Sequence, residues 1–409
     1  MNIVEELEKR GLVYQKSTET LDEILKEKRT LYLGFEPSAD SLHVGNLVPF
    51  ILARHLFRHG HKVVLLVGGA TAQIGDPSGK DAEREFVDIE TIQTRTEKIT
   101  EQIQKLIGEE EIEVVNNMDW IGEMNILEFL RDVGKHFTVN SMIKKDSVSR
   151  RLDTEQGISF TEFSYSLLQG YDFYHLYKEH GVDLQIGGSD QWGNIVSGID
   201  LTRRHTGSQV YGVTTPLVVD KATGKKFGKS EGNAVWIDGD MTSPYDFYQF
   251  WLNLGDEGIF DYIKLFTFVP LEEIEKLEQK HSKNPEERNA QKTLAFEMTS
   301  LIHGVQSAHS AGIVSDILFS GMPVDALEDQ DVEMLMDVAP SFEIKETLIL
   351  SELLISSELA SSKREAKEFI SSGAIKIDGG VVDEDIEILP FGQLRILSRG
   401  KKNKCILYS

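Results

Sequence analysis

The chain has 409 residues, of which 40% are hydrophobic and 27% charged, a composition that indicates a globular protein of two or three domains. Its formal net charge of −24 argues against non-specific binding of nucleic acid over the whole surface, because a polyanion would be repelled. No apolar run reaches the roughly 18 residues of a membrane span, no secretory signal pattern opens the chain, and the single cysteine, Cys405, excludes an internal disulfide and a cysteine-rich zinc site. We therefore expect a cytoplasmic protein without membrane segments or structural metal.

The first half of the sequence alternates strand-like and helix-like stretches, a pattern typical of an open parallel sheet covered by helices on both faces. Residues 30–35 predict a buried strand, residues 46–58 an amphipathic helix, and residues 62–69 a second strand, which together make one βαβ unit. Further segments of the same kind are predicted strands at 112–117, 183–188 and 214–220, and a predicted helix at 123–137. The sequence therefore predicts an α/β fold on a parallel sheet of five or more strands.

The second half changes character from about residue 242, where strand signals fade and helical periods follow Ser/Pro or Pro/Glu starts. Residues 320–342 carry acid and proline without clear periodicity, so we predict a linker there. The remaining tail predicts helices near 345–354 and 362–373, followed by short strands. Residues 341–409 hold nearly as many basic as acidic side chains, so this C-terminal segment is electrostatically distinct from the acidic remainder.

The stretch DSLHVGNLVPF, residues 40–50, places small and polar residues at the start of the first predicted helix. Gly45 has no Cβ and would allow a flat ligand to approach the backbone, while His43 and Asn46 could donate to an anion at the helix N-terminus. Ser38 could add a hydroxyl. Taken alone, such a stretch is more often an ordinary turn with a surface histidine.

A second stretch, GKKFGKSEGN at residues 224–233, places Lys225, Lys226 and Lys229 between glycines. A flexible cationic loop of this kind suits a triphosphate whose charge must be neutralised as it reacts. By itself it is as readily a solvated basic loop. The two stretches together, HVGN and KFGKS beside a parallel sheet, resemble the paired H-x-G-H and K-M-S-K-S signatures of class I aminoacyl-tRNA synthetases.

The resemblance extends to LVGGATAQIGDPSGKDAER, NNMDWIG, GISFTEFSYSLLQGYDF and LQIGGSDQWGN, so that nearly the whole chain is similar to bacterial and organellar tyrosyl-tRNA synthetases. This resemblance implies an α/β, Rossmann-like parallel-sheet catalytic domain over residues 1–235, with an inserted dimer-interface segment at about 120–160. It further implies a helical anticodon-arm domain at 236–325, a linker at 326–342, and a small α+β, S4-like RNA-binding domain at 343–409.

The resemblance also implies roles for individual residues in binding L-tyrosine. The phenol would be held by Tyr32 and Asp172; the α-amino group would be held by Asp76, Tyr165 and Gln169, with Gln191 on the carboxylate side. Such a pocket rejects phenylalanine because buried polar groups would be left unpaired, a discrimination for which tyrosyl-tRNA synthetases are a standard example.

The nucleotide and tRNA sites follow from the same resemblance. GDPSGK lacks the spacing of a Walker phosphate loop, and its Lys80 with Arg84 resembles instead the family's mobile pyrophosphate-binding loop. The implied catalytic residues are Ser38, His43, Asn46, Lys80, Arg84, Lys226 and Lys229. The implied ATP-binding residues are Gly34, Glu36, Gly45, Gly188, Asp190, Lys226, Lys229 and Ser230, and the implied tRNA-binding residues are Lys363, Arg364 and Lys367.

The implied reaction is attack of the tyrosine carboxylate on the α-phosphorus of ATP with Mg²⁺, followed by transfer to tRNA(Tyr), in a homodimer. Three positions depart from the family pattern: Asn46 replaces the second histidine of the first signature, Glu36 stands where many members have aspartate, and Leu33 stands where many have cysteine. Two alternatives stay open. One is an enzyme similar to tryptophanyl-tRNA synthetase, against which Tyr32 and Asp172 argue, and the other is a non-catalytic RNA-binding paralogue.

Overall fold

The computed structural model of the chain describes residues 2–78, 88–108, 112–152, 157–221, 224, 227–230, 233–324, 327–400 and 403–409. At residues 89, 146, 229, 230 and 233 it describes only the backbone. No helix within these ranges is long and apolar enough to cross a membrane.

The strands and helices are defined here in chain order. The strands are β1 (Gln15–Lys16), β2 (Thr30–Phe35), β3 (Lys62–Val67), β4 (Glu113–Asn116), β5 (Leu184–Gly188), β6 (Tyr211–Thr215), β7 (Lys229–Ser230), β8 (Asn233–Ala234), β9 (Ser341–Glu343), β10 (Leu348–Ile349), β11 (Ile375–Ile377), β12 (Gly380–Val381), β13 (Glu387–Ile388), β14 (Arg395–Arg399) and β15 (Asn403–Tyr408). The helices are α1 (Ile3–Arg10), α2 (Leu21–Leu25), α3 (Leu47–Arg58), α4 (Ile89–Ile107), α5 (Met118–Ile121), α6 (Ile126–Glu128), α7 (Val139–Met142), α8 (Asp146–Leu152), α9 (Phe160–His180), α10 (Trp192–Thr206), α11 (Pro244–Leu252), α12 (Ile259–Phe266), α13 (Leu271–His281), α14 (Asn289–His303), α15 (Val305–Ser315), α16 (Asp329–Val338), α17 (Leu350–Ser356) and α18 (Lys363–Ser371).

The chain forms two compact units, Met1–Thr242 with Gly255–Ala290, and Ser243–Leu254 with Gln291–Ser409. The first unit contains a six-stranded sheet in the order β1-β6-β5-β2-β3-β4. All pairs are parallel except the short edge strand β1, which runs antiparallel to β6. The central strands are rich in Val, Leu and Ile and almost wholly buried, as expected for a parallel sheet covered on both faces.

The parallel strands bring the chain segments that follow them to one edge of the sheet. β2 is central and pairs with both β3 and β5, so that Tyr32 lies opposite Val64 on one side and Gln185 on the other. Polar and glycine-rich segments follow each of these strands, and open α/β sheets bind ligands at this edge. The fold therefore places the predicted site residues of β2 and β5 side by side.

The second unit carries helices α11, α15, α16, α17 and α18 and a five-stranded sheet in the order β12-β11-β14-β15-β9. The core of its C-terminal part is a cluster of buried side chains, of which Leu350, Leu353, Leu354, Ile375 and Leu407 are completely buried. The tail is therefore an α+β module with its own hydrophobic core.

Several elements differ from the sequence predictions. The predicted helix at 123–137 is a succession of α6, a π-helical segment at Phe129–Val133 and a 3₁₀ turn at Gly134–His136, because glycine weakens a regular helix at this point. β6 ends at Thr215, which pairs with the last residue of β5, so the strand predicted at 214–220 begins and ends earlier. In the predicted linker lies α16, which begins with a capping box formed by Glu328 and Asp331 and buries Leu335.

Candidate active site

Tyr32 lies at the centre of the sheet and is completely buried. Its ring packs edge-on against Phe173 of α9, with 5.3 Å between the ring centroids. Its hydroxyl has no hydrogen-bond partner among the described residues, which is uncommon for a buried polar atom. Burial, and then the nearby charge of Asp172, raises the pKa of Tyr32 well above its usual value. The phenol is therefore neutral and can both donate and accept one hydrogen bond to a ligand.

Asp172 of α9 lies close enough to Tyr32 for its charge to act on the phenol, and it is 1% exposed. Its Oδ1 accepts a hydrogen bond from the indole N–H of Trp120 at 2.8 Å, and its Oδ2 accepts one from the amide of Asn117 at 3.1 Å. Burial raises the pKa of Asp172 to about 7, and the two hydrogen bonds partly counteract this effect. The carboxylate is therefore poised near its titration point at neutral pH.

Asn117 connects this carboxylate to the loop after β3. It is fully buried, its Oδ1 accepts from the backbone N–H of Ala70 at 2.8 Å, and its Nδ2 also reaches the hydroxyl of Thr71 at 3.1 Å. The sequence predictions missed both Asn117 and Trp120 as site residues. The sequence feature that could have indicated them is the segment NNMDWIG, which places polar residues directly after a predicted strand.

A second group of polar side chains lies around Asp76. Asp76 Oδ2 accepts a hydrogen bond from Gln191 at 2.7 Å, and Gln191 Oε1 accepts one from Gln169 at 3.3 Å. Tyr165 donates its phenolic proton to Glu36 at 2.7 Å. Tyr165 and Gln169 are one turn apart on α9 and so share a face of the helix, as their spacing predicted.

The electrostatics of this group favour a cation. Burial raises the pKa of Tyr165 well above its usual value, and the carboxylates of Glu36, Asp76 and Asp172 raise it further. Gln169 Oε1 is buried and has no hydrogen-bond partner within the described part of the chain. A ligand ammonium group here would meet several negative or accepting oxygens at once.

Lys145 contributes a positive charge near this group, and the sequence predictions did not include it. Its ammonium donates to the buried hydroxyl of Ser197 at 2.6 Å. Burial lowers the pKa of Lys145 to about 8, while the negative charge of Asp76 raises it. The half-buried Lys145, whose charge interacts with that of Asp76, is part of the site's charge balance.

The HVGN segment forms a 3₁₀ turn, Val44–Asn46, immediately before α3. His43 Nδ1 accepts from the backbone N–H of Gly45 at 3.1 Å, and Asn46 Oδ1 accepts from the backbone N–H of His43 at 3.3 Å. A neutral His43 that accepts at Nδ1 carries its proton on Nε2. Both side chains therefore accept a hydrogen bond from the backbone within the turn.

The two signature motifs are in direct contact. A Cβ on Gly45 would lie 2.9 Å from the carbonyl oxygen of Phe227, and a Cβ on Gly228 would lie 2.2 Å from Cγ2 of Val44. The backbone N–H of Val44 donates to Val235, whose own N–H donates to Gly228, each at 2.9 Å. Glycine at both positions is what allows the two loops to meet.

The ends of β2 and β5 form the rest of the edge. Gly34 is exposed at the end of β2, and a Cβ there would make only ordinary contacts, the nearest at 3.9 Å from Leu66. The carboxylate of Asp190 lies over Gly188, where a Cβ would come within 2.6 Å of it. Ser38 is exposed beside this edge. Glu36, predicted for the nucleotide, is bonded to Tyr165, and Leu33 is buried inside the sheet.

Some predicted residues lie elsewhere. Lys80, Arg84 and Lys226 lie outside the described residues, as do the side chains of Lys229 and Ser230, whose backbone forms β7. Lys363, Arg364 and Lys367 are on α18 in the second unit, and all three are exposed. Lys363 forms an ion pair with Glu352 at 2.9 Å.

Comparisons with known proteins agree along the whole chain. Residues 25–320 match the family model for tRNA synthetases class I (W and Y), and residues 331–407 match that for the tyrosine–tRNA ligase SYY-like C-terminal domain. The tyrosine–tRNA ligases of Escherichia coli strain K12/DH10B and Shigella boydii serotype 18 are each 47% identical to this chain, over 99% of it and 98% of their own length.

Solved structures give the same result. A C-terminally truncated mitochondrial tyrosyl-tRNA synthetase of Aspergillus nidulans superposes with a TM-score of 0.69 and 32% identity, over 78% of this chain and 94% of that one. Its counterpart from Coccidioides posadasii gives 0.66 and 33%, over 76% and 91%. The family models, the full-length relatives and the shared fold together establish that the chain belongs to the tyrosyl-tRNA synthetase family of class I aminoacyl-tRNA synthetases.

Proposed function

We propose that this protein is a tyrosine–tRNA ligase that activates L-tyrosine with ATP to tyrosyl-adenylate and then transfers the tyrosyl group to the 3′ end of tRNA(Tyr). The observation that carries the proposal is the unpaired hydroxyl of Tyr32, buried beside the carboxylate of Asp172. A phenol bound between them would donate its proton to Asp172 and accept one from Tyr32. Phenylalanine would leave the hydroxyl of Tyr32 without a partner, at a cost of about 1–3 kcal/mol, and would deprive Asp172 of the hydrogen bond from the phenol.

The polar group around Asp76 would bind the amino-acid end of the substrate. We assign the ammonium group to the carboxylate of Asp76, the phenolic oxygen of Tyr165 and the Oε1 atom of Gln169. Gln191 already bridges Asp76 and Gln169 and would face the substrate carboxylate. The surrounding negative charge supports this assignment, because it favours the ammonium form of the substrate.

The two signature motifs would act on the phosphates of ATP. An oxygen of the tyrosine carboxylate attacks the α-phosphorus, the bond to pyrophosphate breaks, and no bond to the protein forms. We assign charge stabilisation of this step to Ser38, His43, Asn46, Lys80, Arg84, Lys226 and Lys229. Hydrogen-bond donors fixed before the reaction lower the barrier because they need not reorganise as charge moves onto the phosphate. The contact between the two motifs supports their joint action.

The adenosine part of ATP would lie along the ends of β2 and β5. We assign it to Gly34, Glu36, Gly45, Gly188, Asp190 and Ser230, with Lys226 and Lys229 toward the phosphates. Asp190 is exposed at the carboxyl end of a parallel strand, a position from which carboxylates commonly bind ribose hydroxyls. We assign Mg²⁺ to the ATP phosphates, since the described residues contain no cluster of three or more metal-binding side chains.

We propose that three segments of the chain follow a catalytic domain at residues 1–235 and serve the binding of tRNA. Residues 236–325 would contact the anticodon arm, residues 326–342 would connect, and residues 343–409 would form an S4-like RNA-binding domain. Lys363, Arg364 and Lys367 are exposed on α18 and could each meet a phosphate. Local basic patches of this kind are needed because the net charge of −24 repels RNA elsewhere.

We further propose that the protein acts in the cytoplasm as a homodimer, through the segment at about 120–160. Apolar side chains there are strongly exposed, with Ile126 at 70%, Leu127 at 73% and Val139 at 63%. Such a cluster is typical of a protein interface, and a second copy of the chain would cover it. Sedimentation equilibrium should give the mass of two chains for the wild type and of one chain for Leu127→Glu.

Amino-acid-dependent exchange of pyrophosphate into ATP tests the central proposal. We expect exchange with tyrosine, and exchange with phenylalanine lower in kcat/KM by about 10,000-fold or more. Charging of a tRNA(Tyr) transcript with labelled tyrosine should follow. Exchange that depends on tryptophan, or RNA binding without any exchange, would overturn the proposal.

A further inference from the structure

We propose that His175 is a positioning residue for tyrosine recognition, because its ring supports the face of the Trp120 indole and thereby aims the indole N–H at Asp172. The inference rests on the proposed function and assigns to it a residue that does not touch the substrate. It concerns the selectivity of the pocket for a hydroxyl group and not the chemical step.

The geometry of the stack carries the inference. The rings of Trp120 and His175 lie 4.3 Å apart between centroids, with an angle of 17° between their planes, and both side chains are half-buried. The indole N–H then reaches Asp172 Oδ1 at 2.8 Å. Asp172 and His175 are three residues apart on α9, so they face the same side of the helix. Asp172 accepts the hydrogen bond from the indole N–H, and His175 packs against the indole ring.

Trp120 needs this support because its own helix is short. α5 has only four residues, Met118–Ile121, and so restrains its side chains weakly. A planar ring packed flat against the indole restricts rotation about the last side-chain bond, on which the direction of the N–H depends. A hydrogen bond weakens steeply once its angle is lost, and Asp172 is too buried to take a water molecule as a substitute.

The stack works through shape and not through charge. Burial is the main cause that lowers the pKa of His175; His180 and Lys178 also lower it and Glu179 raises it, so the ring is neutral at neutral pH. The rings of Tyr171 and His180 lie farther from His175, with 6.2 and 6.3 Å between ring centroids. His180 itself contacts the carboxylate of Glu113 on β4 at 2.6 Å. A neutral aromatic side chain of similar size should therefore replace His175 without loss.

The variants His175→Leu and His175→Phe form a matched pair that tests the stack. Leucine keeps the apolar volume but offers no flat face, whereas phenylalanine keeps the face. For His175→Leu we expect KM for tyrosine to rise about fivefold, with kcat, KM for ATP and kcat/KM for phenylalanine unchanged, because only the bond to the phenolic hydroxyl is weakened. For His175→Phe we expect every value within about twofold of wild type.

A pH profile gives a second readout that loss of packing alone would not move. The hydrogen bond from Trp120 lowers the pKa of Asp172, so a weaker bond in His175→Leu should raise this pKa. The pH below which tyrosine affinity falls should therefore be higher in His175→Leu than in the wild type. In His175→Phe it should be the same as in the wild type. The titratable groups facing Asp172 and His175 are Tyr32 on β2, Glu113 on β4, and Tyr165, Tyr171, Lys178, Glu179 and His180 on α9, and all are unchanged in both variants.

Three results would overturn the inference: a His175→Leu variant with the wild-type ratio of tyrosine to phenylalanine activity, a defect in His175→Phe equal to that in His175→Leu, or a defect that appears equally in KM for ATP. All three results apply only if the wild-type protein catalyses tyrosine-dependent exchange of pyrophosphate into ATP. Failure of that exchange would instead contradict the proposed function, so the two failures are distinguishable.

Discussion

The two ends of the proposed active site are built in different ways. At the phenol end, Tyr32, Asn117 and Asp172 are at most 1% exposed, and side-chain hydrogen bonds fix the carboxylate before any substrate arrives. At the phosphate end, His43 and Asn46 are at least partly exposed, and two loops approach closely because they have glycine at the contact.

This difference separates selectivity from rate. A buried polar group without its partner costs far more than an exposed one, because water cannot replace the lost bond. We therefore expect changes at the phenol end to alter the choice of amino acid, and changes at the phosphate end to alter the rate of adenylate formation while leaving that choice intact. Four predictions test this separation.

The largest effect is expected for Asp172→Asn. The variant loses a charged acceptor for the phenol and turns an amide N–H₂ toward donors that already point at this position, so kcat/KM for tyrosine should fall about 1,000-fold. Pyrophosphate exchange measures it, with phenylalanine as the second substrate. KM for ATP serves as the control. An equal loss for both amino acids would show that Asp172 does not read the hydroxyl.

His43→Ala should act at the other end only. Removal of one fixed donor to the reacting phosphate should slow adenylate formation about 100-fold in a single-turnover experiment. The dissociation constant for tyrosine, measured by fluorescence titration, should stay within about twofold of wild type, since His43 does not belong to the phenol end. An unaltered rate would remove His43 from the catalytic residues.

The pH dependence of tyrosine binding should follow Asp172. Because burial raises its pKa to about 7, the carboxylate is charged above that pH and takes up a proton below it. The protonated form no longer accepts the phenolic proton as an anion, so affinity should fall about tenfold between pH 8 and pH 6. Asn117→Ala removes a hydrogen bond that lowers this pKa and should move the fall to higher pH. If the affinity for tyrosine stays the same across this pH range, ionisation of Asp172 is not needed for binding.

The smallest effect is expected for Gly228→Ala, with Gly224→Ala as its matched control. Both glycines have positive φ, 76° at Gly228 and 69° at Gly224. Among the described residues, a Cβ at Gly224 would meet nothing within 4 Å, whereas one at Gly228 would lie 2.2 Å from Val44. Gly224→Ala carries the backbone strain alone, whereas Gly228→Ala also separates the two loops and should slow adenylate formation about fivefold more. Equal rates in the two variants would mean that the contact between the motifs does not matter.

The sequence predicted the strands of the sheet and the residues at its edge better than it predicted the residues that hold Asp172 in place. β2, α3 and β3 lie close to their predicted positions, because an alternation of buried strands and an amphipathic helix is a local pattern. The family that the motifs indicated is confirmed by the family model and by the full-length relatives. The roles assigned to single residues stay predictions until a ligand complex or mutant kinetics tests them.

What the sequence could not supply depends on contacts between distant residues. Asn117 and Trp120 meet Asp172 across 55 and 52 positions, and nothing local to either residue indicates that bond. The stack of Trp120 on His175 is hidden for the same reason. In the segment at 123–137 a helical pattern was visible, but the change to a π-helical turn at Phe129–Val133 was not, since periodicity does not register a single wide turn.

A structure of the protein with bound L-tyrosine tests the central claim most directly. We expect the phenolic oxygen within about 3 Å of both the Tyr32 hydroxyl and a carboxylate oxygen of Asp172, with the Trp120 and Asn117 hydrogen bonds retained. A phenolic oxygen that contacts only one of the two, or a substrate ring bound away from Tyr32, would contradict the account.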